Sequence, residues 1–283
     1  MPDTPLTLTL GYSPCPNDTF IFDALVHGRI PCEGVRFQER LEDVETLNQL
    51  AKNAQLDLTK ISYHALGHLR EQYVLLRSGG ALGRGCGPLV VSTTPLTMEQ
   101  LRHQPILIPG ELTTANLLLQ LHGSGFEQVT TLPFDRIMPT LLRGEARAGV
   151  IIHESRFTFA DYGLHQVLDL GQWWEQETGL PIPLGGILAR RSLPAALIAR
   201  IDAALQRSVL YARQHPQAAQ AYIRQHAQEL SDQVTQQHID LYVNDFSVAL
   251  GHEGEQAVRV LLQRAEQRGL IPPCALPLFA ESE

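Results

Sequence analysis

The sequence predicts an α/β protein of two lobes with a helical C-terminal region. Short apolar runs alternate with helical stretches over the first two thirds of the chain, and everything after Pro194 keeps a helical period. The 283 residues exceed the usual size of one domain, yet no low-complexity linker divides them. Two lobes that share the chain explain both observations.

Strands are predicted for short apolar runs that lie between turn-forming residues. They are Leu6 to Leu10, Val35 to Gln38, Leu56 to Lys60, Val74 to Leu76, Leu89 to Ser92, Ile106 to Ile108, Val129 to Leu132, Val150 to Ile152, Val167 to Leu170 and Ile187 to Ala189. Helices are predicted where apolar residues recur every three or four positions. Before Pro194 they are Thr19 to His27, Val44 to Gln55, Ser62 to Leu69, Thr113 to His122, Asp135 to Arg143 and Arg156 to Tyr162. Because helices follow strands, we expect parallel sheets.

Without a linker, the two lobes must be joined by strands that cross between them. Leu89 to Thr94 and Gly185 to Ala189 suit this role, since a proline ends the first and a glycine pair opens the second. We therefore predict one lobe from residues 1–92 plus 188–283, a second lobe inserted at 93–187, and a ligand cleft between them.

Composition and charge limit the partners of the protein. The net charge of -8 gives no electrostatic reason to bind nucleic acid or an anionic membrane. The chain has no run near the ~18 apolar residues of a membrane span and does not open on an export signal, so we expect a cytoplasmic location. The cysteines are scattered without metal-binding spacing, so no metal is expected. The oligomeric state is left open, with a homodimer through the helix around Leu241 to Leu250 as one alternative.

Ligands of open α/β sheets gather at the carboxyl ends of strands, where helix N-termini present free N–H groups. The first such end is the turn that follows Leu6 to Leu10. Its Ser13 and Asn17 are candidate substrate-binding residues, although Asn17 or Asp18 as a helix cap would explain the turn by structure alone. Cys15, between two prolines, is either a nucleophile or an ordinary small residue of a tight turn.

The second strand end carries Lys60, Ile61 and Ser62. Lys60 is notable because it and Lys52 are the only lysines of an arginine-rich chain. An ammonium beside a hydroxyl at a helix start would form a site for an anion. The alternative is structural, with Ser62 as an ordinary helix cap and the lysine without a function.

The third strand end leads into Thr113, Thr114 and Ala115 at the start of an apolar helix. Two adjacent hydroxyls at a helix start suit a carboxylate. One threonine is required as the cap in any event, so only the second adds to the functional signal.

The fourth strand end places His153 directly after the apolar run that ends at Ile152. A histidine with an unperturbed pKa near ~6.5 accepts a proton near neutral pH, which suits a general base. The competing interpretation is a structural histidine, and only the strand-end position favours catalysis.

Two other signals are weaker. Gly83, Gly85 and Gly87 alternate, but no strand and helix flank them as a dinucleotide fingerprint requires, so no nucleotide cofactor is expected. Trp173 and Trp174 would either wall an aromatic pocket or, more simply, serve as core and surface of an amphipathic helix.

Four segments together resemble one family. They are GYSPCPNDTFIF from Gly11, KISYHAL from Lys60, PGELTTANLLL from Pro109 and IIHESRFTF from Ile151. The chain is similar over most of its length to the 1,4-dihydroxy-6-naphthoate synthases of the futalosine route to menaquinone.

The resemblance implies a two-lobed periplasmic-binding-protein-like (type II) fold that acts as a cofactor-free lyase. The expected reaction converts cyclic dehypoxanthinyl futalosine to 1,4-dihydroxy-6-naphthoate and releases dihydroxyacetone. By the same resemblance, His153 is the base, and the segments Lys60 to Ser62 and Thr113 to Ala115 bind substrate. Two alternatives stay open: chorismate dehydratase of the same pathway, and a non-catalytic solute-binding module for a small carboxylate.

Overall fold

In the part of the chain that the structure describes, the strands form two separate sheets. The computed structural model describes residues 5–227 and 231–280. Its strands are β1 (Leu6–Tyr12), β2 (Val35–Leu41), β3 (Leu58–Ser62), β4 (Tyr73–Leu75), β5 (Ala81–Gly83), β6 (Leu89–Ser92), β7 (Ile106–Ile108), β8 (Val129–Thr131), β9 (Ala148–Ile151), β10 (His165–Asp169) and β11 (Ile182–Arg190). The first sheet has the order β2-β1-β3-β11-β4 with β5 beside β11, and the second has the order β10-β6-β9-β7-β8.

Helices cover both sheets and make up most of the C-terminal region. They are α1 (Pro16–Val26), α2 (Val44–Lys52), α3 (Tyr63–Leu69), α4 (Met98–Leu101), α5 (Thr114–His122), α6 (Phe134–Leu142), α7 (Ser155–Thr158), α8 (Leu170–Thr178), α9 (Ala195–Gln214), α10 (Gln220–His226), α11 (Asp232–Tyr242), α12 (Asp245–Val248) and α13 (Gly251–Gln267), with a 3₁₀ helix at Phe159–Tyr162. No helix within the described ranges is both long and apolar enough to traverse a bilayer.

Each predicted strand is present, and β5 is an additional one. The expectation of parallel sheets is only partly correct, since β1 pairs in parallel with β2 and β3 but β11 runs antiparallel to β3, β4 and β5. The pairing is antiparallel because β11 follows a crossing of the chain from one lobe to the other. Strand β3 ends at the cleft with Ser62, which lies opposite Gly185 near the start of β11. A strand that enters from the cleft must run in the opposite direction to strands that end there.

The second sheet repeats this arrangement, because β6 begins at the cleft with Leu89 opposite Ile151, the last residue of β9. Residues 89–92 belong to the second sheet, and residues 182–187 belong to the first. The crossings precede these strands because each strand pairs fully within the sheet that it enters. The division of the chain into 1–92 plus 188–283 and 93–187 stays a prediction.

The first helix begins earlier than predicted and without the expected cap. Helix α1 starts at Pro16, a residue that is suited to a first helical turn because it lacks an N–H. Cys15 takes the cap position without a side-chain capping hydrogen bond, and Asn17 and Asp18 lie inside the helix. The Asn17 or Asp18 cap is therefore wrong, and both side chains are free for other contacts.

The C-terminal helices pack back onto the first sheet. The Ser208 hydroxyl of α9 donates to the Ile21 carbonyl of α1 (2.6 Å). In α10, Tyr222 donates to the Glu39 carboxylate of β2 (2.7 Å). Tyr12 of β1 donates to the same oxygen of Glu39. These contacts hold α10 against the sheet and bring the following helix, α11, over the cleft.

The first crossing depends on a close approach of two backbones at Gly87 and Gly171. We expect Gly87→Ala to lower the free energy of unfolding by about 1–3 kcal/mol, as overpacking does, because the new Cβ would lie 2.3 Å from the Gly171 Cα. Urea denaturation measures the change. Gly123→Ala is the matched control, since its Cβ would meet only Phe126 at 3.6 Å. Equal midpoints for the two variants would contradict the prediction.

Candidate active site

One cavity lies between the two sheets, at the carboxyl ends of β1, β3 and β9 and at the start of α5. The structure brings all of the predicted site residues to its wall. They are Ser13, Asn17, Lys60, Ile61, Ser62, Thr113, Thr114, Ala115 and His153. Helix α11 closes the cavity with His238 and Tyr242. The residues are thus in one place, while their chemical roles stay predictions.

A buried carboxylate organises the first part of this wall. Asp18 accepts hydrogen bonds from the Ser13 N–H (3.1 Å), the Ser13 hydroxyl (2.7 Å) and the Asn17 amide (2.8 Å), and it forms an ion pair with Lys60. Lys60 and Asp18 are 7% and 2% exposed, so neither charge is solvated by bulk water. We call Ser13, Asn17, Asp18 and Lys60 the Asp18 cluster. Lys60 therefore already has an anionic partner within the protein.

Asn48 of α2 holds the end of β3 through two hydrogen bonds with Ser62. Its amide oxygen accepts from the Ser62 N–H (3.0 Å), and its amide nitrogen donates to the Ser62 hydroxyl (3.3 Å). Ser62 occupies the cap position of α3 but makes no side-chain capping bond, so the structural alternative of an ordinary cap is wrong. Its hydroxyl hydrogen can therefore be donated to a ligand in the cavity.

The start of α5 offers backbone N–H groups to the cavity. The Thr113 hydroxyl donates to the Gly110 carbonyl (2.7 Å) and accepts from the Asn116 N–H (3.2 Å), which makes it the helix cap. The N–H groups of Thr114 and Ala115 belong to the first turn, where no carbonyl of the helix itself can accept from them. Together with the helix dipole they favour an anion.

The hydroxyl of Thr114 connects the two halves of the site. It accepts from the Tyr63 N–H (3.0 Å) and donates to the Leu184 carbonyl (2.6 Å), and both partners belong to the side of the first sheet. This hydroxyl, which we expected to be surplus to capping, is therefore engaged within the protein. It holds the N-terminus of α5 against β11 and α3.

His153 adopts a left-handed backbone conformation at the end of β9, with a φ of 56°. Such a conformation is uncommon outside glycine and tends to occur at functional sites. The ring lies between Phe134, whose centroid is 5.0 Å away, and Cys15, whose Sγ is 3.8 Å from Nδ1. Burial lowers the pKa of His153, so the imidazole stays neutral and able to accept a proton.

Cys15 is buried beside His153, in the turn between β1 and α1. Burial, with the Glu154 carboxylate nearby, raises the pKa of its thiol well above the usual value. The sulfur therefore stays protonated near neutral pH, which favours a contact with the imidazole over a role as a nucleophile.

Sequence reasoning missed four residues of this region. Asp18 was considered only as a cap, Asn48 lies in the middle of a helix, and His238 and Tyr242 lie far along the chain in a helix that carried no signal. Trp174 is buried in the core and donates to the Pro181 carbonyl (3.1 Å), and Trp173 is partly buried and packs against the same core. Across residues 5–227 and 231–280, no group of side chains suited to a metal ion was found.

The crossing strands and the two sheets with a cavity between them define a class of two-lobed folds. The alkanesulfonate-binding protein SsuA from Xanthomonas axonopodis pv. citri, solved with MOPS bound, aligns with a TM-score of 0.70 at 14% identity over 95% of each chain. A crystal structure of a protein from Archaeoglobus fulgidus aligns with a TM-score of 0.88 at 35% identity, over 94% of this chain and 98% of that one. The predicted periplasmic-binding-protein-like fold is confirmed.

Sequence comparison then assigns the family. A family model described as menaquinone biosynthesis matches residues 8–267. The 1,4-dihydroxy-6-naphthoate synthase of Thermus thermophilus is 56% identical over 96% of this chain and 98% of its own. That of Streptomyces coelicolor is 45% identical over 94% of this chain and 95% of its own. The chain belongs to the menaquinone biosynthesis family, among the 1,4-dihydroxy-6-naphthoate synthases.

The buried ion pair of the Asp18 cluster provides a stability test. We expect Lys60→Met to destabilise the protein by about 3–5 kcal/mol, because it leaves the Asp18 carboxylate buried without its cation. Denaturant unfolding measures the loss, and Lys52→Met is the matched control on an exposed position of α2. The double variant Asp18→Asn/Lys60→Met should recover part of the stability. A double variant that is as unstable as Lys60→Met would show that the charge is not the cause.

Proposed function

We propose that this protein is the lyase that converts cyclic dehypoxanthinyl futalosine to 1,4-dihydroxy-6-naphthoate and releases dihydroxyacetone. The observation that supports this most directly is the position of His153 on the same cavity as the free N–H groups of α5. A base and an anion site in one enclosed space suit a substrate that carries a carboxylate and loses a proton elsewhere. Both curated relatives carry the name of this product.

In this proposal the substrate carboxylate binds at the N–H groups of Thr114 and Ala115, and the Ser62 hydroxyl donates to a second oxygen. His153, which is neutral, then takes a proton from a substrate hydroxyl or an acidic C–H. Formation of an aromatic ring supplies the thermodynamic drive. The protein contributes positioning and base catalysis and requires no cofactor.

The proposal also includes the binding partners and the cellular location of the enzyme. Its substrate is a small carboxylate, and neither nucleic acid nor a membrane is a partner. We place it in the cytoplasm, with menaquinone biosynthesis as the pathway that it serves.

Incubation with candidate substrates tests the function. We expect naphthoate absorbance to appear with cyclic dehypoxanthinyl futalosine and no reaction with chorismate. Turnover of chorismate instead would assign the protein to the dehydratase of the pathway. Calorimetry that shows tight binding of an inorganic anion or amino acid, without any product, would favour a solute-binding module.

His153→Asn tests the base. We expect kcat to fall by about 10²–10⁴-fold, because the variant keeps a polar side chain but cannot accept a proton. Binding of the naphthoate product, measured by calorimetry, should stay close to that of the wild type. A variant that folds normally and keeps full turnover would exclude His153 as the base.

The pH dependence of kcat tests the state of this imidazole. Because the pKa of His153 is lowered by burial, the neutral form should persist below the ordinary value of ~6.5. We expect kcat to stay level as the pH falls through that value and to decrease only under more acidic conditions. A decline that is complete above pH ~6.5 would show that the group is not buried as described.

A further inference from the structure

A second imidazole lies in the wall of the cavity. Helix α11 brings His238 there, with no exposed surface, from the far end of the chain. Its ring is nearly parallel to that of His153, at an interplanar angle of 10° and a centroid distance of 6.0 Å. A substrate that reaches one imidazole is therefore within a few ångströms of the other.

The Asp18 cluster determines which nitrogen of His238 carries the proton. The Asn17 amide nitrogen donates to the Asp18 carboxylate, so the Asn17 amide oxygen is the atom that faces His238. That oxygen lies 2.8 Å from Nε2 of the imidazole. An amide oxygen accepts but cannot donate, so Nε2 must be the protonated nitrogen.

The other nitrogen, Nδ1, then has a lone pair with no protein donor. It is buried and lacks a hydrogen-bond partner among the residues that the structure describes. A carboxylate oxygen of Glu154 lies 3.5 Å away, but an ionised carboxylate is itself an acceptor. Burial, followed by the electrostatic effects of His153 and Lys60, lowers the pKa of His238 well below its usual value, so the ring stays neutral.

We propose that Nδ1 of His238 is a second proton acceptor of this active site, held in the required tautomer by Asn17. The inference rests on the proposed function. A lyase that breaks a carbon–carbon bond beside a hydroxyl and leaves an aromatic ring removes one proton from oxygen and one from a ring carbon. His153 takes one of these protons and His238 takes the other.

The proton balance of this step is simple. The substrate bond to hydrogen breaks, its electron pair forms a new double bond of the product, and the proton binds to Nδ1. The electron pair of the broken carbon–carbon bond stays on one of the two fragments, which takes up a proton at that carbon. The resulting imidazolium lies between the Asn17 amide oxygen and the Glu154 carboxylate, which stabilise its charge. The proton leaves to a product fragment or to solvent when the cleft opens.

Several ionisable groups face His238 and set its proton affinity. They are His153 and Glu154 from the end of β9, Lys60 from β3, Asp18 behind Asn17 in α1, and Tyr242 one turn along α11, whose ring centroid is 4.6 Å away. His153 and Lys60 lower the pKa of the ring, whereas the Glu154 carboxylate close to Nδ1 can stabilise the imidazolium, so the ring can be neutral at rest and charged briefly during turnover.

His238→Gln tests the role of the side chain in turnover. We expect kcat to fall about 100-fold or more, as for loss of a general base, with KM within about 3-fold of the wild type. The matched control is His252→Gln, at an exposed position of α13, which should leave both constants unchanged. A kcat within about 2-fold of the wild type would overturn the proposal.

A second measurement does not depend on the folding of a variant. Imidazole ¹⁵N chemical shifts of the wild-type protein report the tautomer, and we expect the proton of His238 on Nε2. In Asn17→Leu, which removes the acceptor, the Nε2–H preference should weaken and kcat should fall. A proton on Nδ1 in the wild type would overturn the proposal whatever the turnover result.

A wild-type protein that forms no naphthoate contradicts the proposed function, whereas the tautomer measurement still decides whether His238 presents a lone pair. Normal wild-type turnover with an equally active His238→Gln contradicts only the role of His238.

Discussion

The arrangement of the site depends on one buried ion pair, between Lys60 and Asp18. An isolated charge at either position would be costly, since removal of a carboxylate or an ammonium from water is compensated only by a close partner and further hydrogen bonds. Asp18 obtains these from Lys60, Ser13 and Asn17, which come from three neighbouring segments. The pair thereby fixes the turn after β1 against the end of β3. Through Asn17 it also reaches α11 and orients an imidazole.

The cleft owes its position to the direction of the strands. Strands β3 and β9 end at the cavity, and the crossing strands β11 and β6 begin there. Helix starts and strand ends of both sheets therefore meet in one space, where N–H groups, hydroxyls and imidazoles are present without competing bulk solvent. The Thr114 hydroxyl, which bonds to the Tyr63 N–H and the Leu184 carbonyl on the side of the first sheet, holds the N-terminus of α5 at this space.

Burial also keeps the two histidines of this site in their neutral form. Both imidazoles have a lowered pKa because the low-dielectric surroundings disfavour the charged form. A neutral ring whose N–H donates to a protein acceptor, as Nε2 of His238 does to Asn17, presents its other nitrogen as an acceptor, which is the arrangement that general-base chemistry needs. The same burial keeps the Cys15 thiol protonated. The cavity thus favours proton transfer over nucleophilic attack by sulfur.

The sequence by itself determined the α/β alternation, the strands and the strand ends at which His153, Lys60 and Thr113 lie, because apolar periodicity and capping patterns are local properties of the chain. It also carried the family resemblance. Only the tertiary structure decided the antiparallel direction of the crossing strands, the ion-pair partner of Lys60, the hydrogen bonds of the Thr114 hydroxyl and the position of His238 at the cavity. Each of these depends on contacts between residues that are far apart in the chain, and no local pattern of residues encodes which distant group will meet a buried charge or a free lone pair.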